Sequence, residues 1–167
     1  NKVSVNKSII NGCSGDMFAY KESTVAQIPV TEITNSTLIK PQGRIFYAGN
    51  AASFSIDYCT MYGWGGSKAM LELGDKNTLG MSLAIKNTIL ANGGSNRKAH
   101  NANAAANLSL TIEKVYGTND MTFHSTLGDV TKYDKPSTEV FENPEEGNFK
   151  IIDALFPSSI GDPRWTE

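Results

Sequence analysis

The sequence predicts an all-β fold: a right-handed parallel β-helix of about five coils, closed by a C-terminal capping segment. Three observations lead there. Five segments with the same alternation of apolar and polar residues recur along the first two thirds of the chain. Each segment changes phase at one internal position, as a chain does when it folds around a corner. A further short strand follows at least three of them before the next segment begins. Three strands per turn of roughly 25 residues is the signature of a solenoid whose coils bury a core together that none could bury alone.

The segments are VSVNKSII (residues 3–10), TEITNSTL (31–38), FSIDYCTM (54–61), LAIKNTIL (83–90) and LSLTIEKV (108–115). Their third members are Val5, Ile33, Ile56, Ile85 and Leu110, at intervals of 28, 23, 29 and 25 residues. Loops of varying length between strands in register explain such a variable period. The third column is aliphatic and the last is apolar (Ile10, Leu38, Met61, Leu90, Val115), which places both inside. The fourth (Asn6, Thr34, Asp57, Lys86, Thr111) is polar and points out. The sixth is small in four cases: Ser8, Ser36, Cys59 and Thr88. The fifth column (Lys7, Asn35, Tyr58, Asn87, Ile112) falls at the phase change, and asparagine there tolerates the left-handed backbone of a tight corner. The additional strands are read at residues 16–20, 44–48 and 69–73.

The rival architecture, an antiparallel sandwich, needs hairpin turns such as Asn-Gly. Asn11-Gly12 and Asn92-Gly93 occur, but each follows the last apolar column by one or two residues, a near-constant place that suits a coil corner. After Val115 the pattern decays into a segment with prolines and many charges. Coils are therefore expected over residues 1–120 and a cap over 121–167 as one structural domain, since an open solenoid end invites aggregation.

Composition narrows the function classes. With 40% apolar and 19% charged residues the chain can bury a core unaided. A net charge of -2 without a basic stripe argues against nucleic acid. No run of 18 apolar residues is present to span a membrane. Cys13 and Cys59 make neither a disulfide framework nor a CxxC metal site, and no cofactor motif is found. Cys59, in a column of small residues, is expected to be a buried inert thiol, whereas Cys13 sits by a turn. NKVSVNKSII opens directly on an alternating strand, so the chain is expected to be a trimmed or processed piece whose targeting signal has been lost.

The ending GNFKIIDALFPSSIGDPRWTE carries Ile-Gly-Asp-Pro-Arg-Trp at residues 160–165. That hexapeptide resembles the closing motif of extracellular β-helix proteins of Bacteroidetes, a group consisting mostly of domains of unknown function. FYAGN followed by FSIDYCTMYGWG is similar to their internal coils, and the coils resemble the pectate-lyase-like superfamily. The resemblance covers most of residues 30–165. It implies an exported, lipid-anchored surface protein of a polysaccharide-utilisation system, located extracellularly or on the outer membrane. It implies no particular reaction. In such a bacterial protein the glycosylation patterns at Asn6, Asn35 and Asn107 are expected to have no consequence.

Enzymes on this scaffold need clustered acids holding calcium with a basic residue, or paired carboxylates flanking a glycosidic bond. The sheet between the repeats is the place to look. With Ile45, Tyr47, Leu71 and Leu73 inward, Arg44, Phe46, Met70 and Glu72 face out, and Asp16, Phe18 and Tyr20 join them one coil earlier. Asp16 and Glu72, two coils apart, lie roughly 10 Å from one another at ordinary strand spacing. That is a poor calcium cluster and a loose acid pair, and Arg44 with Glu72 also reads as a plain solvated ion pair. Sugar binding asks for less: exposed rings to stack on a pyranose and polar groups for its hydroxyls. Phe18, Tyr20, Phe46 and Trp64 are the candidate rings, with Arg44 and Glu72 as polar partners; a one-residue slip in phase would instead bury Phe18 and Phe46. His100 and His124 stand alone in polar loops, without a carboxylate at metal-ligand spacing, and no metal site is expected. The expectation is a monomeric, non-catalytic surface β-helix that binds or presents polysaccharide. The alternatives are a pectin-type lyase or glycoside hydrolase, and a structural or adhesive module.

Overall fold

The computed structural model describes residues 1–20, 29–49, 52–74, 80–104 and 108–166; Asn107, named above, lies outside them. The first coil consists of β1 (Lys2–Asn6), β2 (Ile9–Asn11) and β3 (Phe18–Tyr20). The second is β4 (Val30–Thr34), β5 (Thr37–Ile39) and β6 (Phe46–Ala48). The third is β7 (Ser53–Asp57), β8 (Thr60–Tyr62) and β9 (Leu71–Leu73). β10 (Met81–Lys86) and β11 (Ile89–Ala91) belong to the fourth, and β12 (Leu108–Glu113) and β13 (Tyr116–Gly117) begin a fifth. Equivalent strands pair in parallel into three sheets, β1-β4-β7-β10-β12, β2-β5-β8-β11-β13 and β3-β6-β9. The chain is therefore a parallel β-solenoid, as the repeat predicts, with about four turns where about five coils were expected.

The corners explain the sequence columns. Lys7, Asn35, Tyr58, Asn87 and Lys114 all have positive φ, between 43° and 52°. At the next position, Ser8, Ser36 and Thr88 donate their hydroxyls to the carbonyls of Asn6, Thr34 and Lys86, two residues back. Cys59 does the same with its thiol toward Asp57 O at 3.3 Å. The sixth column is thus small and protic because the bend leaves a carbonyl to be satisfied inside the turn. A second corner follows the second sheet, with positive φ at Gly12, Lys40, Gly63 and Asn92.

The fifth repeat sits two residues later than the sequence alignment places it. Ile85 pairs with Ile112, not Leu110, and Leu90 with Gly117, not Val115. Leu108, Leu110 and Ile112 alternate, so a shift of two keeps every side chain on its own face, and alternation alone cannot set the register. Lys114, not Ile112, takes the corner. Where Gly117 leaves the apolar column without a side chain, the Phe123 ring fills in: a Cβ on Gly117 would lie 2.3 Å from it. Met121, Leu127 and Val130 join the core around that plug.

The chain then runs along the outside of the solenoid. β14 (Thr131–Lys132) extends the second sheet beyond β13. A short helix α1 (Ser137–Val140) leads into an antiparallel pair, β15 (Phe141–Asn143) and β16 (Asn148–Ile151). Val140, Phe141, Phe149, Phe156 and Ile160 pack on the outward side chains of the second sheet: Ile39, Tyr62, Ile89 and Ala91. This is why β5, β8 and β11 are buried at every position, with Thr37 and Thr60 as their polar members, and show no alternation of apolar and exposed residues.

Candidate functional site

The second sheet is covered by its own C-terminal segment, and the outer face of the third sheet, where the predicted residues lie, is left uncovered. Its inward column is Phe18, Phe46 and Leu71; Tyr47 and Glu72 are paired on the outward side. The sequence-based phase is therefore off by one for Phe46. The corner into this sheet buries two consecutive residues, Ile45 with Phe46 and Met70 with Leu71, all fully enclosed. Taking Ile45 as the inward residue of an alternating strand exchanged the faces.

The predicted rings fall accordingly. Phe18 stacks on Phe46 at 5.8 Å and Phe46 on Phe54 of β7 at 4.5 Å, inside the coil. Tyr20 packs beside them on Phe54 and its hydroxyl meets Thr31 Oγ1 at 2.8 Å. Trp64 is 1% exposed and belongs to the same core. Its outer neighbour Arg97 lies 5.8 Å from the ring and donates to the carbonyls of Gly65 and Gly66, and its burial lowers the guanidinium's proton affinity. Phe46 and Trp64 offer no exposed ring, and Phe18 and Tyr20, partly buried, pack against the aromatic stack of the core.

Arg44 and Glu72 do come together, with Asp16 beside them. Arg44 Nε lies 3.1 Å from Asp16 Oδ1 and 3.4 Å from Glu72 Oε2, three charges stepping across three coils. The contact is coulombic rather than a directed hydrogen bond, since Nε has no well-aligned acceptor. The guanidinium lies 4.4 Å over the ring of Tyr47, the exposed-side aromatic of this face. Lys68 Nζ is 4.0 Å from Glu72 Oε2, and the Ala69 amide donates to Oε1, so both oxygens of Glu72 are engaged. Gly43 permits this closeness: a Cβ there would stand 2.2 Å from the Gly15 carbonyl, so the turns carrying Asp16 and Arg44 touch backbone to backbone.

Beyond Glu72 the face deepens into a cleft lined by Ser67, Lys98, His100, Asn101, His124 and Thr126. Asn101 extends the third sheet with its side chain, accepting from Leu73 N and donating to Leu73 O, both at 3.2 Å. His100 pairs with Leu71 as a parallel bridge, and Phe123, beside His124, with Arg97. His124 Nδ1 accepts the Thr126 amide at 3.2 Å, so its proton sits on Nε2. His100 Nδ1 faces the Asn101 carbonyl at 2.8 Å and is therefore the donor of its ring. The sequence reading set these histidines apart in separate loops, yet their spacing of 24 residues is one coil, and that signal was legible. Tyr47, Lys68 and Lys98 were missed as well. Among the described residues no group of three His, Cys, Asp or Glu side chains is placed to hold a metal. Nor, among the described residues, is any helix long and apolar enough to cross a membrane.

A family model described as a domain of unknown function (DUF5123) matches residues 54–165. No curated protein and no solved structure matches the chain.

Proposed function

The chain belongs to the DUF5123 family of domains of unknown function, and on that premise we propose that it is a non-catalytic β-solenoid that binds polysaccharide along the outer face of its third sheet. The observation that carries this reading is the continuous run Asp16–Arg44–Glu72 with Tyr47 beneath Arg44, opening into the polar cleft at Lys98, His100 and His124. Recognition is polar rather than ring-based. Charged and amide groups at coil spacing meet successive sugar hydroxyls, and Tyr47 is the one aromatic surface of that run. A solenoid suits a polymer because equivalent positions recur along one axis.

The engagement of Asp16 and Glu72 by a common Arg44 supports binding over hydrolysis, because a hydrolase needs two carboxyl groups aimed at a bond rather than at the same cation. The resemblance of the Ile160 to Trp165 motif and of the coils to extracellular Bacteroidetes β-helix proteins, pectate-lyase-like in fold, supports a cell-surface location in a glycan-utilisation system. Affinity electrophoresis on gels cast with plant and host polysaccharides tests the reading. The chain is expected to be retarded by at least one, and Tyr47→Ala with Arg44→Ala to abolish the retardation. Free migration on every gel would contradict it.

A further inference from the structure

We propose that the cleft beyond Glu72 receives the sulfate group of a sulfated polysaccharide, an inference that rests on the polysaccharide reading above and names its ligand class. The cleft's charge comes first. Glu72 is already balanced by Arg44 and Lys68. Lys98 is exposed, lines the cleft, and makes no ion pair among the described residues. The cleft therefore carries a surplus positive charge with its ammonium free to move.

The donor geometry then discriminates between anions. A planar carboxylate is best held by an arginine fork, which matches its two oxygens side by side. Neither arginine near this cleft offers one. Arg44, whose Nε faces Asp16 and Glu72, is not among the residues lining the cleft, and neither is Arg97, which gives Nη1 to the Gly65 and Gly66 carbonyls and its remaining nitrogens to Ser95 O. What remains is a set of single donors carried by residues of three successive coils that line the one cleft: the Lys98 ammonium, the Nε2–H of His124, the Ser67 hydroxyl, and the hydroxyl hydrogen of Thr126, whose oxygen accepts the Ala99 amide. Point charges and rotatable single donors suit a tetrahedral oxyanion, whose oxygens point in different directions. The small side chains of Ala69 and Ala102 in the lining leave room for the group.

The test uses pairs of glycans that differ only in sulfation: chondroitin 4-sulfate and κ-carrageenan, each against its chemically desulfated product. Desulfated chondroitin keeps all its uronate carboxylates. Titration calorimetry at fixed, near-physiological salt is expected to show at least one sulfated member binding about tenfold more tightly than its desulfated partner. Lys98→Gln is expected to remove most of that preference without shifting the melting temperature, since the side chain is exposed. Equal affinity for both members of each pair, or a preference that survives Lys98→Gln, overturns the sulfate assignment while the binding of any glycan leaves the polysaccharide reading standing. No binding to any sulfated, uronate or neutral glycan overturns both.

Discussion

Thr37 and Asp162 stand 125 residues apart in the chain and 2.7 Å apart in space, the Thr37 hydroxyl donating to Asp162 Oδ2 on the outer face of the second sheet. The same Thr37 oxygen accepts from the Trp165 indole at 2.7 Å. The Asp162 amide donates to Thr60 Oγ1, the hydroxyl one coil along from Thr37, and the Asp162 carboxylate caps the Arg164 amide. Gly161, at φ 93°, passes so close to Ile89 and Thr60 that a Cβ would lie within 3 Å of both. The Ile160 to Trp165 motif is thus a clasp: each of Gly161, Asp162 and Trp165 has a defined contact fastening the C-terminal segment to the coils.

Asp162→Ala removes the acceptor from under a buried hydroxyl. The expected cost is about 2–3 kcal/mol, more than for an exposed aspartate, because Thr37 and the Arg164 amide lose their partner together. Urea denaturation of the variant measures it. Asp162→Asn is expected to cost less, since the amide oxygen still accepts.

Acid should loosen the C-terminal segment. Hydrogen bonds from Tyr133 and from Lys135 hold the Asp153 carboxyl down at about 2. Burial pushes Asp120 the other way, but hydrogen bonds from Ser137 and Thr118 leave it below the usual carboxylate range. Folded values depressed below the unfolded ones give stability that is present above about pH 4 and lost as pH falls toward 2. The midpoint of denaturation is expected to drop across that window. Asp153→Asn is expected to flatten the decline while lowering stability at neutral pH.

The two thiols should be distinguishable. Burial, ahead of all other causes, pushes Cys59 up to about 12, whereas Cys13 is half-exposed. A thiol reagent at pH 8 is expected to modify one cysteine in the native chain and the second only on unfolding. Cys59→Ser places a hydroxyl where Ser36 and Thr88 already carry one, and its expected cost stays within about 1 kcal/mol.

Adjacent aromatics on β6 should behave oppositely. Phe46→Ala opens a cavity in the stack with Phe18 and Phe54 and is expected to cost about 3–5 kcal/mol in a melting or urea experiment. Tyr47→Ala, one residue on, is expected to cost far less and to weaken glycan binding instead.

Much of the fold was legible because a solenoid writes its corners into the sequence. The columns at Asn35, Asn87, Ser36 and Thr88 reflect one repeated backbone bend and its carbonyl, so they mark the coil wherever they recur. The register of the fifth repeat was not legible, since Leu108, Leu110 and Ile112 satisfy alternation equally in two settings. The face of Phe46 was obscured because Ile45 and Phe46 are both buried where the chain turns into the third sheet, and strict alternation has no place for such a pair. Of the site, Arg44 with Glu72 could be read from strand spacing, and His100 with His124 from their one-coil interval, while Lys98 lies where isolated bridges replace named strands and the pattern carries little signal.

Hydrogen exchange with and without a polysaccharide that retards the chain tests the central claim most directly, because it locates the contact without any substitution. Slowed exchange is predicted at residues 44–48, 69–73 and 97–101, with the C-terminal segment over the second sheet unchanged. Protection confined to residues 133–166 or to the first sheet would contradict the assignment of the binding face.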